Sequence, residues 1–210
     1  MSEGWTPFYD QRHVEVTDRD TVYDGFFKLQ QLRLRYTTFA GGDMEITREL
    51  FYRDDAVCVL LYDPRLDEVV MIEQFRIGTL DHPHSPWLLE LVAGIVERGE
   101  SAADVAHREA AEEAGAELQA LIPISRYSVS PGGSREYIDL FCACVDASVI
   151  SGDHGLAEEG EDIRVHRIPV QQAFQLVRCG RIDNAASIIA LQWLQLNFDT
   201  VKAEFLKLQS

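Results

Sequence analysis

The run AVCVLLY, Ala56–Tyr62, is apolar throughout, and EVVMIEQF follows it after the turn-like linker DPRLD. Neither run approaches the roughly 20 residues that a helix needs to cross a bilayer. Their β-branched content and the turn residues between them predict a pair of strands. A strand with one wet face alternates apolar and polar residues, whereas one that is apolar throughout has both faces covered. The chain therefore has to supply cover for both sides of a sheet.

Three segments can supply it. Ser101 to Ala114 predicts a helix: Ser101 and Asp104 fit a capping pattern at its start, and Gly115 fits its stop. Val105 and a series of alanines give it a thin packing side. Gln171 to Arg178 predicts a second helix, stopped by Gly180. Asn184 to Phe198 predicts a third, with Ile188, Leu191, Trp193, Leu194 and Phe198 as its apolar positions. Further strands are expected in WLLELVAGIVERGES, a short strand followed by a glycine-bearing loop, and at YIDLFCACV and IRVHRIPV, the last ended by Pro169. Strands interleaved with helices imply an α+β fold, a mixed sheet between helices.

Ahead of this lies a β-rich segment. FFKLQQLRLRYTTFAGGDMEITRELFY alternates about Gly41-Gly42 and predicts an antiparallel hairpin. Leu32, Leu34 and Tyr36 keep a period of two, while Leu29 falls out of phase across Gln30-Gln31, which predicts a bulge there. Residues 1–52 are expected to form a small N-terminal β segment, and 53–210 the main domain. Trp5, Phe8, Phe26 and Phe27 are candidates for packing on a partner subunit.

Charge narrows the partners. The formal net charge is −16, from 35 acidic and 19 basic residues. Such a surface repels nucleic acid and anionic membranes, since phosphate backbones need a basic stripe. Cys58, Cys142, Cys144 and Cys179 have no zinc-site spacing, and Cys142 and Cys144 alternate within an apolar run as reduced core residues would. The start, MSEGWTPFYDQ, lacks the basic and then apolar regions of a secretory leader, so a cytoplasmic location is expected. His82 and His84 flank a proline in a loop and read as loop residues, and His107 as an exposed helix residue.

HREAAEEAG, at the end of the first helix, is electrostatically odd. Glu109, Glu112 and Glu113 stand three and four apart, and like charges at that spacing cost roughly 0.2–0.5 kcal/mol per pair. They also crowd the negative end of the helix dipole, where each anion costs about 0.3–1 kcal/mol. Arg108 reaches Glu112 at i+4 but cannot neutralise three carboxylates. Spacing alone leaves two readings open: a solvated acidic face, or oxygen ligands gathered for Mg2+ or Mn2+.

The residues upstream favour the second. Gly94, Glu100, Arg108-Glu109, Glu112-Glu113 and Gly115 resemble the signature of the Nudix hydrolases, GX5EX7REUXEEXGU. Every fixed position matches. Ala110 and Ala116 stand where a bulky aliphatic is usual, which bears on packing rather than on metal chemistry. Gly94 is expected to let the strand bend into a loop, and Glu100 to hold that loop. SVSPGG, with Pro131, resembles the mark of the family's ADP-ribose pyrophosphatase subgroup. The likeness extends through VVMIEQFRI, PWLLELVAG, HGLAEEGEDIRVH and IDNAASIIALQWLQL.

That resemblance implies a Nudix fold and Mg2+-dependent cleavage of ADP-ribose to AMP and ribose 5-phosphate, with Mn2+ able to substitute. It implies metal binding by Ala93, Glu109, Glu113 and Glu161, with Glu112 and Arg108 supporting and Glu159 as catalytic base. Arg48, Arg76 and Glu136 correspond to substrate-binding residues, and the partner would be a second copy in a domain-swapped homodimer. The rival expectations are a related sugar-nucleotide hydrolase, such as one acting on GDP-mannose, and a catalytically silent ligand-binding domain.

Overall fold

A computed structural model describes residues 4–156, 158 and 160–208. The chain divides into two compact units: Met1–Asp54 with Ser128–Glu136, and Asp55–Tyr127 with Tyr137–Ser210. With strands numbered in chain order, the first unit holds β1 (Val14–Asp24), β2 (Lys28–Thr37), β3 (Asp43–Tyr52) and the two-residue β9 (Ser134–Arg135), adjacent in that order. The hairpin expected about Gly41-Gly42 joins β2 to β3, and both glycines have positive φ.

The bulge expected on β2 lies on its partner instead. The β2–β3 register is unbroken from Lys28↔Tyr52 to Thr37↔Asp43. The shifts occur in β1, between Val16 and Asp18 and between Thr21 and Tyr23, where Thr17 and Val22 are the extra residues. The second faces the Leu29-Gln30 step of β2, so the broken phase is absorbed by the facing strand. Strand β1 is exposed along its whole length; Val14 and Val16 alternate for only one step before the polar run 17–21, too short a pattern to mark a strand.

The second unit is built on β4 (Ala56–Asp63), β5 (Glu68–Phe75), β6 (Trp87–Glu90), β7 (Val92–Ile95), β8 (Ala120–Ser128), β10 (Tyr137–Cys144), β11 (Asp153–His154) and β12 (Ile163–Pro169). The sheet runs β11-β12-β5-β4-β10-β8, with β6 pairing β5 and β7 pairing β4. Strands β4 and β10 are parallel, while β4–β5 and β5–β12 are antiparallel, so the sheet is mixed. Helix α1 (Ala102–Ala114) covers one face: Val105, Ala106, Ala110 and Ala114 pack with Val57, Val59, Val70 and Ile72. Helices α2 (Val170–Arg178) and α3 (Ala185–Leu208) cover the other, with Leu60, Tyr62, Met71 and Leu140 among the buried residues there. This is the α+β arrangement that the two apolar runs demand. Cys58, Cys142 and Cys144 are reduced thiols buried in the α3-side core.

Helix α3 outruns its expected end at Phe198. Asn197 is non-helical (φ −114°, ψ 15°), and its side-chain amide donates to the Trp193 carbonyl at 2.8 Å. The helix kinks there and continues, burying Val201 and Phe205. No helix among the described residues is long and apolar enough to cross a membrane.

Candidate active site

Helix α1 is fixed at both ends. The Asp104 amide donates to the Ser101 hydroxyl at 3.2 Å, and the Ser101 amide to the Asp104 carboxylate at 3.1 Å, a reciprocal capping box. Gly115 adopts φ 59°, and its N–H reaches the Ala110 and Ala111 carbonyls. Ala110 and Ala116 are both buried, so the small residues at those positions set the helix close to its neighbours.

The three glutamates meet different surroundings. Glu113 is only 2% exposed, and its Oε2 accepts the Ala93 amide hydrogen at 2.8 Å. Burial pushes its carboxyl up to about 8; Glu109 and Glu161 add to the rise, and the Ala93 N–H and Arg76 oppose it. Glu109 is also raised above the ordinary range, chiefly by burial and against the pull of Arg108. Glu112 is half-buried and accepts from Arg108 Nη1 at 3.2 Å.

Arg108 gathers the cluster. Its Nη1 also donates to Glu109 Oε1 at 2.6 Å, while Nε and Nη2 fork onto Glu100 at 3.1 and 3.2 Å. Glu100 accepts the Glu97 amide as well and so holds the loop before α1. The Arg108 fork is the first cause of the fall in the Glu100 carboxyl below its usual range. The wrong-end charge is thus relieved by one arginine, by a strand amide and by burial that favours a protonated Glu113.

Gly94 does not act as a bend. It lies inside β7, opposite Val57, and its φ is outside the left-handed region. A Cβ there would run into the Glu109 carboxylate. Glycine is required because the helix side chain occupies the space a strand side chain would take.

Arg76 follows β5, and its Nε donates to Glu90 Oε2 at 2.6 Å. Glu161 closes a small loop, its amide donating to the Leu156 carbonyl and its Oε2 accepting the Leu156 amide, each at 3.2 Å. Ala93, Glu109, Glu113, Glu161 and Arg76 therefore share one region of the second unit. Glu159 lies outside the described residues. Arg48, Pro131 and Glu136 belong to the first unit. Arg48 is exposed and donates to the Thr47 carbonyl at 2.8 Å. Glu136 is 5% exposed and pairs with Arg53 at 3.4 Å. Pro131 opens an exposed turn.

Sequence reading missed Glu90 and Arg53, the partners of Arg76 and Glu136. Glu90 had a signal, a lone charge in the apolar run WLLELV; Arg53 had none. His82 instead ties a loop: Nε2 meets Asp183 at 2.6 Å, and Nδ1 accepts the His84 and Ser85 amides at 3.3 Å. Among the described residues no three His, Cys, Asp or Glu side chains form a ready-made cation cage, in keeping with the hold of Arg108 on Glu109. The donor chemistry still fits a hard divalent cation: carboxylate oxygens on one helix beside a glycine that leaves them room.

A mixed sheet between helices with this glutamate helix at its face defines a class, and residues 52–190 match the NUDIX domain family. The chain belongs to that family. Over 198 residues it is 49% identical to the ADP-ribose pyrophosphatase of Escherichia coli (strain K12), covering 94% of this chain and 95% of the relative. It is 46% identical over 194 residues to the ADP-ribose pyrophosphatase of Haemophilus influenzae, covering 90% and 89%. Identity to the GDP-mannose pyrophosphatase of Klebsiella pneumoniae subsp. pneumoniae is 30% over 185 residues, covering 87% and 92%. The crystal structure of an ADP compounds hydrolase matches with a TM-score of 0.64 at 20% identity, covering 89% of this chain and 97% of that one, which bears on the fold alone.

Proposed function

We propose that this chain hydrolyses the pyrophosphate of ADP-ribose, giving AMP and ribose 5-phosphate. The chemistry rests on the Glu109–Glu113 cluster, and the choice of substrate on one contrast. Identity is 46–49% to the ADP-ribose pyrophosphatases and 30% to a GDP-mannose pyrophosphatase at comparable coverage.

Glu109, Glu113, Glu161 and the Ala93 carbonyl would hold Mg2+, or Mn2+ in its place. The bound cation supplies charge neutralisation of the pyrophosphate and activation of water. As a ligand Glu113 would be needed without its proton, and Glu109 would have to be free of the Arg108 contact. Arg108 stays anchored on Glu100 and keeps Glu112 in place. Glu159 removes a proton from the attacking water, whose oxygen bonds to one phosphorus as the bridging oxygen departs. Arg76, aimed by Glu90, binds phosphate through its remaining donors, and Arg48 and Glu136 are further substrate contacts. Residues 1–52 serve dimerisation, in the domain-swapped homodimer that the resemblance implies, and the location is cytoplasmic.

Rates on ADP-ribose and GDP-mannose, measured side by side with Mg2+, test this reading. Higher kcat/KM on ADP-ribose, with AMP and ribose 5-phosphate as products, is expected. A preference for GDP-mannose overturns the substrate, and no Mg2+-dependent cleavage of either returns the chain to a silent binding domain.

A further inference from the structure

Gly115 meets two demands. Its φ of 59° stops α1, and a Cβ there would lie 2.8 Å from Cε1 of His154. The first demand is conformational, and asparagine can also meet it at a helix stop. The second is a matter of room: the imidazole edge rests where a side chain would stand.

His154 ends the two-residue strand β11, which pairs with β12 and packs beside α1. So short a strand is held weakly by its own ladder, and side chains must add to it. Asp153 does so toward β12, accepting from Arg164 at 2.9 Å. His154 does so toward α1. Its Nε2 lies 3.0 Å from the Ser151 carbonyl oxygen. A carbonyl only accepts, so Nε2 carries a hydrogen and donates it, which fixes the ring over Gly115.

The chain passes from His154 straight into a second close approach. Gly155, at φ 96°, would set a Cβ 2.9 Å from Cβ of Glu161. Leu156 and Glu161 exchange two hydrogen bonds, each of 3.2 Å. The charge of Glu161 in turn helps to raise the carboxyls of Glu109 and Glu113. The segment is therefore braced on one helix at both ends. His154 rests on the residue that stops α1, and Glu161 stands by the glutamates just before that stop.

We propose that His154 is a positioning residue. Seated on Gly115, it fixes the start of the segment that carries Glu161 and so sets that carboxylate at the cation site. The inference rests on the reading of Glu161 as a cation ligand given above. Groups that orient a ligand from behind commonly govern metal affinity as well as the ligand does.

Mn2+ binding without substrate, followed by the spin-resonance signal of the free ion, reads the effect apart from activity. His154→Ala is expected to weaken Mn2+ binding about 10-fold. His154→Gln, whose Nε2–H can reach the Ser151 carbonyl, is expected to recover most of that loss. Gly115→Ala shifts the ring without removing it and is expected to weaken Mn2+ binding less than His154→Ala. In a Glu161→Gln background, itself weaker in Mn2+ binding, His154→Ala should add less than about two-fold, because the ligand it serves has gone. Its cost in Tm, measured in EDTA, should persist in both backgrounds. An equal loss of Mn2+ affinity in both backgrounds overturns the proposal, since His154 then acts through something other than Glu161. So does unchanged Mn2+ affinity in His154→Ala, which leaves the ring a packing role. If Glu161→Gln by itself binds Mn2+ as the wild type does, the ligand reading of Glu161 fails first and the proposal falls with it. A wild type that binds no Mn2+ overturns the cation site and the proposal together.

Discussion

The Ala93 amide donates to the Glu113 carboxylate at 2.8 Å and ties the last turn of α1 to strand β7. The same two residues supply a backbone carbonyl and a carboxylate to the proposed cation site. The contact that anchors the helix thus also sets two prospective ligands side by side.

Burial raises the Glu113 carboxyl to about 8, so the metal-free chain carries a proton there at neutral pH. The unfolded chain loses that proton near the ordinary glutamate value of about 4.3. Between these limits the folded state binds the extra proton, so metal-free stability falls as pH rises through the window and levels off above about 8. Urea titrations from pH 5 to 9 in the presence of EDTA are expected to show the fall, and Glu113→Gln to flatten it. Mg2+ binding releases a proton below pH 8, which calorimetry in two buffers of different ionisation enthalpy measures.

Glu113→Gln preserves shape and the Ala93 contact but removes a charged ligand. Turnover on ADP-ribose is expected to fall at least about 100-fold with the fold intact, since even residues behind a ligand cost 10–100-fold. Near-normal turnover at saturating Mg2+ would sink the metal assignment. Glu159→Gln tests the base separately: a large loss in kcat with unchanged Mg2+ affinity is expected, and a trivial loss moves the role to a glutamate of α1.

Two glycine substitutions should separate function from stability. Gly94→Ala places a methyl against the Glu109 carboxylate, the movable end of a side chain, at a backbone angle that alanine accepts. Activity is expected to fall more than ten-fold with little change in Tm. Gly115→Ala meets His154 at 2.8 Å and is held at φ 59°, so it strains the helix stop. It should lower stability by about 1 kcal/mol or more while sparing more activity. The reverse pattern would contradict both assignments.

Arg108 spans Glu100, Glu109 and Glu112, and its removal leaves the cluster without its cation. Arg108→Ala is expected to lower Tm clearly in EDTA and much less at saturating Mg2+, because the divalent ion takes over part of the neutralisation. Equal losses in both conditions would mean that the arginine serves packing alone. Lysine at this position should rescue only partly, since it lacks the fork that grips Glu100.

Much of this protein was legible in one dimension. The runs Ala56–Tyr62 and Glu68–Phe75 announced strands buried on both faces, and Ser101, Asp104 and Gly115 bounded α1 because capping is local chemistry. The exposed β1 left no legible signal because its few apolar residues, Val14, Val16, Val22 and Tyr23, are split by the polar run 17–21, and the end of α3 lay beyond reach because Val201 and Phe205 are held by partners distant in sequence.

The sequence by itself determined the central strands, the bounds of α1, the glutamate spacing and the family, since these depend on periods and neighbours along the chain. Only the tertiary structure decided what those residues experience. It set Gly94 in a strand to make room for Glu109, joined Arg76 to Glu90 and buried Glu113 until it holds a proton. Desolvation and close approach are properties of what surrounds a group in space, and no spacing along the chain records them.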